Sequence, residues 1–169
     1  MSFVLPGLPA GARAQVVTVS DRSARGERPD TSGPLLAGLL AGLGLEVGDV
    51  VVVPDEIDAV QGALRAAAAA AYDLIVTTGG TGLSPRDLTP EATRPLLERQ
   101  APGLAEALRR QGADAVPTAI LSRGVAGTIG SSLIVNLPGS TGGVRDGVAV
   151  LAPVLAHALA QLRGGGDHR

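Results

Sequence analysis

The chain has no cysteine, no tryptophan and, although 14 of its residues are basic, no lysine. Each absence closes off chemistry. Without cysteine there are no disulfides, thiolate nucleophiles or Cys-based zinc sites, and a reducing cytoplasm is permitted. Without lysine there is no Schiff-base amine and no P-loop phosphate ligand, which leaves arginine to balance any bound anion. Aromatic residues amount to 1%, only Phe3 and Tyr72. The two histidines, His157 and His168, do not stand at metal-ligand spacing. A net charge of −2 lacks the clustered cations of a nucleic-acid footprint. No apolar run reaches membrane-spanning length, and Pro6, Gly7, Pro9 and Gly11 interrupt what would be a signal core. These features predict a soluble cytoplasmic protein bound to neither membrane nor nucleic acid.

What is present bounds the architecture. With 169 residues, 45% hydrophobic and 18% charged, the chain suits one domain over 1–169, with 1–13 and 164–169 expected to be flexible. AQVVTVS (14–20), EVGDVVVV (46–53), DLIVTT (73–78) and SLIVNL (132–137) read as strands. Helices are expected from a Thr31 or Ser32 cap, over Ile57–Ala71, from a Thr89 cap with Pro90 behind it, from Pro102 to a stop at Gly112, and from Val144 onward with a kink or restart at Pro153. PTAILSR (117–123) carries no clear signal. The alternation predicts an α/β fold, a mainly parallel central sheet covered on both faces.

In such a sheet the strand C-terminal ends open onto one rim, and the unusual loops all fall there. They are Ser20-Asp21-Arg22, Pro54-Asp55-Glu56, the loop Thr78-Gly79-Gly80-Thr81-Gly82 running on to Arg86-Asp87, and Asn136-Leu137-Pro138-Gly139-Ser140. The glycine loop lacks both GxGxxG spacing and the Walker lysine. What remains is backbone free to bring N–H groups to an anion, beside a carboxylate. Asp87 cannot hold a phosphate directly, but with Asp55 it can hold Mg²⁺ that does. Plainer roles compete: an ordinary turn, an Arg86–Asp87 or Asp21–Arg22 ion pair, an Asx turn at Asn136, and a simple hairpin in GVAGTIGSS.

VTVSDRSARGERPDTSG, VTTGGTGLSPRDLTPEA, PTAILSRG and SLIVNLPGS, in that order, resemble the MogA/MoaB-type molybdopterin-binding family of molybdenum-cofactor biosynthesis, which is similar to the gephyrin G domain. The likeness runs from about Val16 to Arg163. It implies a three-layer α/β sandwich, a homotrimer, a possible molybdenum-insertion partner protein, and adenylyl transfer from MgATP to molybdopterin with release of pyrophosphate. By motif, Asp55 and Asp87 correspond to residues linked to catalysis. Thr78 to Gly82, Ser122 and Asn136 to Gly139 correspond to substrate-binding segments, and Asp21 and Arg22 to a further family motif. Arg22 or Arg86 would balance charge, and adenine would be held without aromatic stacking. Two rivals stand beside this reading: a non-catalytic MoaB-like pterin carrier, and a competence-damage-type hydrolase of nucleotide pyrophosphates.

Overall fold

The computed structural model describes residues 4–165, so Phe3 and His168 lie outside it. Seven strands form one sheet: β1 (Arg13–Val19), β2 (Glu46–Val47), β3 (Val51–Val53), β4 (Leu74–Thr78), β5 (Arg99–Gln100), β6 (Ala126–Ile129) and β7 (Ser132–Leu137). The order is β2-β1-β4-β7-β6-β5, with β3 also on β1. Pairings are parallel from β2 and β3 through β7, whereas β6 joins β7 and β5 joins β6 antiparallel. GVAGTIGSS is therefore a hairpin, turning at Gly130 with φ +54°.

Successive strand residues point to opposite faces, and this divides the core in two. Ala14, Val16, Leu74, Val76, Leu133 and Val135 meet α2 (Ser32–Gly42) and α6 (Thr141–Leu162) through Leu36, Leu40, Val148, Leu151 and Leu155. Val17, Val19, Ile75 and Ile134 meet α3 (Ile57–Ala69) and α4 (Thr89–Thr93) through Val60, Leu64 and Ala92. The result is a three-layer sandwich. Two further helices complete the layers: α5 (Pro102–Ala115) packs beside α6 and adds Leu104 and Leu108 to the first core, and the short α1 (Asp21–Ala24) sits beside β3.

Several local expectations are corrected. The segment 46–53 is not one strand. β1 pairs Ala14 with Val47 but Val17 with Val51, so the edge carries one extra residue, a bulge over which Gln15 donates its amide to the Asp49 carbonyl at 2.6 Å. Helix α2 is capped neither by Thr31 nor by Ser32: Asp30 accepts the Gly33 N–H at 3.0 Å and the Thr18 hydroxyl at 2.7 Å. Thr89 is the first residue of α4 and not its cap. Helix α5 runs through Gly112 to Ala115, and PTAIL (117–121) forms a 3-10 turn packed on it. Helix α6 passes through Pro153 unbroken; its 22 residues are long and apolar enough to cross a membrane, but a stripe from Val144 to Leu159 is buried in the core. Before β1, Leu5 is buried and donates its N–H to the Leu43 carbonyl at 2.9 Å.

At the strand N-terminal ends, Arg163 donates to both oxygens of Asp73 (2.7 and 2.9 Å) and the Arg13 N–H adds a third bond at 2.8 Å. Burial opposes ionisation of Asp73, but these donors prevail and hold its carboxyl below the usual range. A lowered folded-state pKa stabilises the fold above the unfolded value, about 3.9, and that contribution fades as pH falls through the folded value. Asp73→Ala is expected to cost roughly 2–3 kcal/mol in urea unfolding at pH 7, with the difference from wild type shrinking below about pH 4. An undiminished difference at pH 2 would refute the ionic origin.

Candidate active site

The parallel strands β1, β3, β4 and β7 deliver their C-terminal loops to one rim. There, a cavity of about 840 Å³ is lined by Gly79 to Gly82, Asp87, Ser122, Asn136 and Pro138 to Ser140. Its far wall is apolar, built by Ala105, Leu108 and Gly112 of α5 and by Ala119 of the 3-10 turn. A smaller cavity of about 260 Å³ is lined by Ser20 and Thr78 together with Arg28, Asp30 and Ser32. Gly79 and Gly139 line both, and a Cβ on Gly139 would stand 3.3 Å from the Gly79 Cα. The two spaces thus meet where two glycine backbones touch.

Acidic groups gather beside the glycine loop: Asp87 lines the large cavity, whereas Asp21 and Asp55 line neither. Asp21 and Asp55 staple their loops reciprocally: the Asp55 N–H donates to Asp21 Oδ1 at 2.9 Å and the Asp21 N–H to Asp55 Oδ2 at 3.0 Å. Arg86 closes on Asp21, with Nε 2.6 Å from Oδ2, so it pairs neither with Asp87 nor leaves Asp21 for Arg22. Asp55 Oδ1 lies 3.2 Å from where a Cβ on Gly80 would be, and Asp87 Oδ2 lies 2.7 Å from the same point on Gly82. Asp55 and Asp87, 32 positions apart in the chain, therefore border one glycine loop. Asp87 Oδ2 also accepts the Ser84 N–H at 3.0 Å.

The carboxylates differ electrostatically. The Asp55 N–H, with help from Arg86, holds Asp21 below the usual carboxylate range. Burial, reinforced by the Asp21 and Asp87 charges, pushes Asp55 up. The folded state thus grips the Asp55 proton more tightly than the unfolded chain does, and its ionised form opposes folding at neutral pH. Asp55→Asn keeps an oxygen for the Asp21 N–H and removes that penalty. Its melting temperature at neutral pH is expected to rise modestly. A lower melting temperature at pH 7 would contradict this electrostatic account.

Other candidates have different fates. Asn136 is buried and fully engaged, donating to the hydroxyls of Thr77 (3.0 Å) and Thr93 (3.1 Å) and accepting the Val125 N–H at 3.2 Å. Leu137 is core, contributing its carbonyl to the Gly79 N–H at 3.0 Å. Thr78 donates its hydroxyl to the Pro138 carbonyl at 2.8 Å. Ser20 and Ser140 cap α1 and α6. Arg22 is exposed and makes no ion pair among the described residues. The Ser140 cap puts the positive end of the 22-residue α6, with Gly142 and Gly143, at the large cavity.

Sequence reasoning missed the second half of the Ser122-Arg123 pair. Arg123 donates from Nε to the Gly82 carbonyl at 2.9 Å and from Nη2 to the Asp87 carbonyl at 2.7 Å, and it pairs with Glu91. The unassigned PTAILSR stretch is thus joined to the glycine loop. A lone arginine after a segment of undetermined structure gave no signal of this.

The arrangement suits an anionic ligand lying along the glycine loop with an apolar group against α5. Residues 15–157 match the family described as "Probable molybdopterin binding domain". The chain is 43% identical over 162 residues to a molybdenum cofactor biosynthesis bifunctional protein of Synechococcus elongatus, covering 96% of this chain and 50% of that protein, so it spans only half of that relative's length. It is 39% identical over 153 residues to a molybdopterin adenylyltransferase of Pyrococcus furiosus, covering 88% of this chain and 89% of that one. The crystal structure of a molybdopterin biosynthesis protein from Mycobacterium abscessus superposes with a TM-score of 0.87 at 50% identity, covering 90% and 97% of the two chains. With a family match over most of its length and close agreement in fold, this chain belongs to the molybdopterin-binding domain family.

Proposed function

We propose that the protein is a molybdopterin adenylyltransferase, joining the phosphate of molybdopterin to the adenylyl group of ATP. What supports this reading is that Asp55 and Asp87 both border one glycine loop, Asp87 lining the large cavity and Asp55 lying against Gly80 just outside it. A purely binding protein for an anionic pterin gains nothing from two carboxylates there, whereas phosphoryl chemistry needs charge held in place.

In the reaction an oxygen of the pterin phosphate attacks the α-phosphorus of ATP. A P–O bond forms, the bond from the α-phosphorus to the α–β bridging oxygen breaks, and pyrophosphate leaves with the electron pair. No general base is needed, because a phosphate nucleophile is already ionised at neutral pH. Amides of the glycine loop and the α6 N-terminus stabilise charge on the phosphates, and the apolar α5 wall takes an aromatic ring without stacking. No group of three or more His, Asp or Glu among the described residues is arranged to bind a metal alone. Two carboxylates nevertheless fit Mg²⁺, which keeps several waters and is completed by substrate phosphates. Asp55 and Asp87 would hold it, and it would neutralise charge developing on the phosphates.

We also propose a homotrimer, for which Val116, Ile120 and Leu121, 49% to 62% exposed, offer apolar surface. The deciding assay incubates the protein with molybdopterin, ATP and Mg²⁺ and looks for adenylylated pterin. Pterin binding without product would make the protein a carrier. Cleavage of a nucleotide pyrophosphate bond without pterin would make it a hydrolase.

A further inference from the structure

Four consecutive carbonyls of the glycine loop are held from the protein side by just two residues. Thr89 donates its hydroxyl to the Gly79 carbonyl at 2.9 Å and its N–H to the Gly80 carbonyl at 3.1 Å. Arg123 donates its N–H to the Thr81 carbonyl at 2.8 Å and its Nε to the Gly82 carbonyl at 2.9 Å. In a trans peptide the C=O and the following N–H point in opposite directions across one plane. Turning four carbonyls toward Thr89 and Arg123 therefore turns the N–H groups of Gly80, Thr81, Gly82 and Leu83 away from them. None of these four N–H groups meets a protein partner among the described residues. Gly80, Thr81 and Gly82 line the large cavity, while Leu83 stands in solvent beside it, so the unpaired donors face open space that a ligand can enter.

We propose that Thr89 and Arg123 are a positioning pair that sets the direction of these peptide planes, so that the loop presents a row of donors to the phosphates of a nucleotide. The inference rests on the transferase reading for the identity of the ligand. Neither residue touches the reacting atoms. Arg123 is suited to this by its rigid fork: Nη2 also reaches the Asp87 carbonyl, which ties the donor row to the residue proposed to carry the metal. Thr89 is wholly buried, so its hydroxyl has no competing partner in solvent.

The test measures binding of α,β-methylene-ATP with Mg²⁺ by calorimetry, and the protection of the amides at 80–83 from hydrogen exchange when it binds. Arg123→Lys keeps the charge, but one ammonium cannot span the Gly82 and Asp87 carbonyls. It is expected to weaken binding about tenfold or more and to abolish the added protection. Glu91→Gln removes the ion-pair partner and no carbonyl contact, and is expected to bind within about threefold of wild type. Thr89→Val should weaken binding about tenfold, whereas Thr89→Ser, retaining the hydroxyl, should restore it. Wild-type binding by Arg123→Lys, equal weakening by Glu91→Gln, or no difference between the Val and Ser variants would each overturn the proposal. Should Arg123→Lys fail to fold, the Thr89 pair decides. Because the readout is nucleotide binding, absence of adenylylated product would refute the transferase reading separately, and a wild-type protein that ignores the analogue would refute both.

Discussion

Asp87→Ala is expected to lower the rate of adenylyl transfer by at least about 10³-fold, with molybdopterin still bound within about threefold of wild type. The carboxylate is at the edge of the large cavity, beside Gly82, where the proposed mechanism has it hold Mg²⁺, and it makes no ion pair among the described residues. One complication is structural, because Asp87 Oδ2 also accepts the Ser84 N–H and so helps to close the turn. Asp87→Asn separates the roles: it retains an acceptor for Ser84 and loses the charge. Both variants are expected to be similarly inactive, and a near-wild-type rate for Asp87→Asn would remove Asp87 from the chemistry. Raising Mg²⁺ should recover part of the Asn variant's activity by filling a weakened site.

Gly79→Ala is expected to have the largest effect on folding of any single methyl addition in the molecule's active loop. Its φ of +103° is one that side chains rarely adopt, and a Cβ there would stand 2.3 Å from the carbonyl oxygen of Val19, backbone at the C-terminal end of β1. Neither obstacle can move aside cheaply. The cost is roughly 3 kcal/mol or more, visible as a large drop in the urea midpoint and loss of both substrates. Gly62→Ala provides the contrast. That glycine is inside α3, a Cβ there meets nothing within 4 Å, and alanine should stabilise by about 0.5–1 kcal/mol. Equal melting temperatures for the two variants would show that backbone crowding at Gly79 is not what fixes the loop.

The layered α/β architecture is readable from the sequence because its parallel strands are short, apolar on both sides and separated by helical periods. The edge is less readable. Val50 to Val53 follow Val47 with only Gly48 and Asp49 between, and hydrophobicity alone cannot register an inserted residue; only the pairing with β1 reveals the bulge at Gly48 to Val50. The candidate site divides along similar lines. Loops rich in Gly, Asp and Pro at strand ends announce Asp55, Asp87 and Gly79 to Gly82. Side chains that act by holding others carry no local mark: Thr89 reads as a helix cap, Asn136 as a loop residue, and Arg123 as part of a stretch with no period. Their roles depend on partners 10 to 60 positions away, such as Gly79, Thr77 and Gly82.

The broken margin beside β1 also governs how the chain can meet its neighbours. A sheet border with an unbroken row of free amides and carbonyls invites another polypeptide to dock as an additional strand, the first step toward fibrous aggregates. Here the kinked border interrupts the ladder on one side, and on the other β5 is only two residues long. Strand addition is thereby disfavoured at both borders, so that any pairing of copies would fall to side chains elsewhere on the surface, whose contacts can be specific in geometry and can stop at a closed number of subunits.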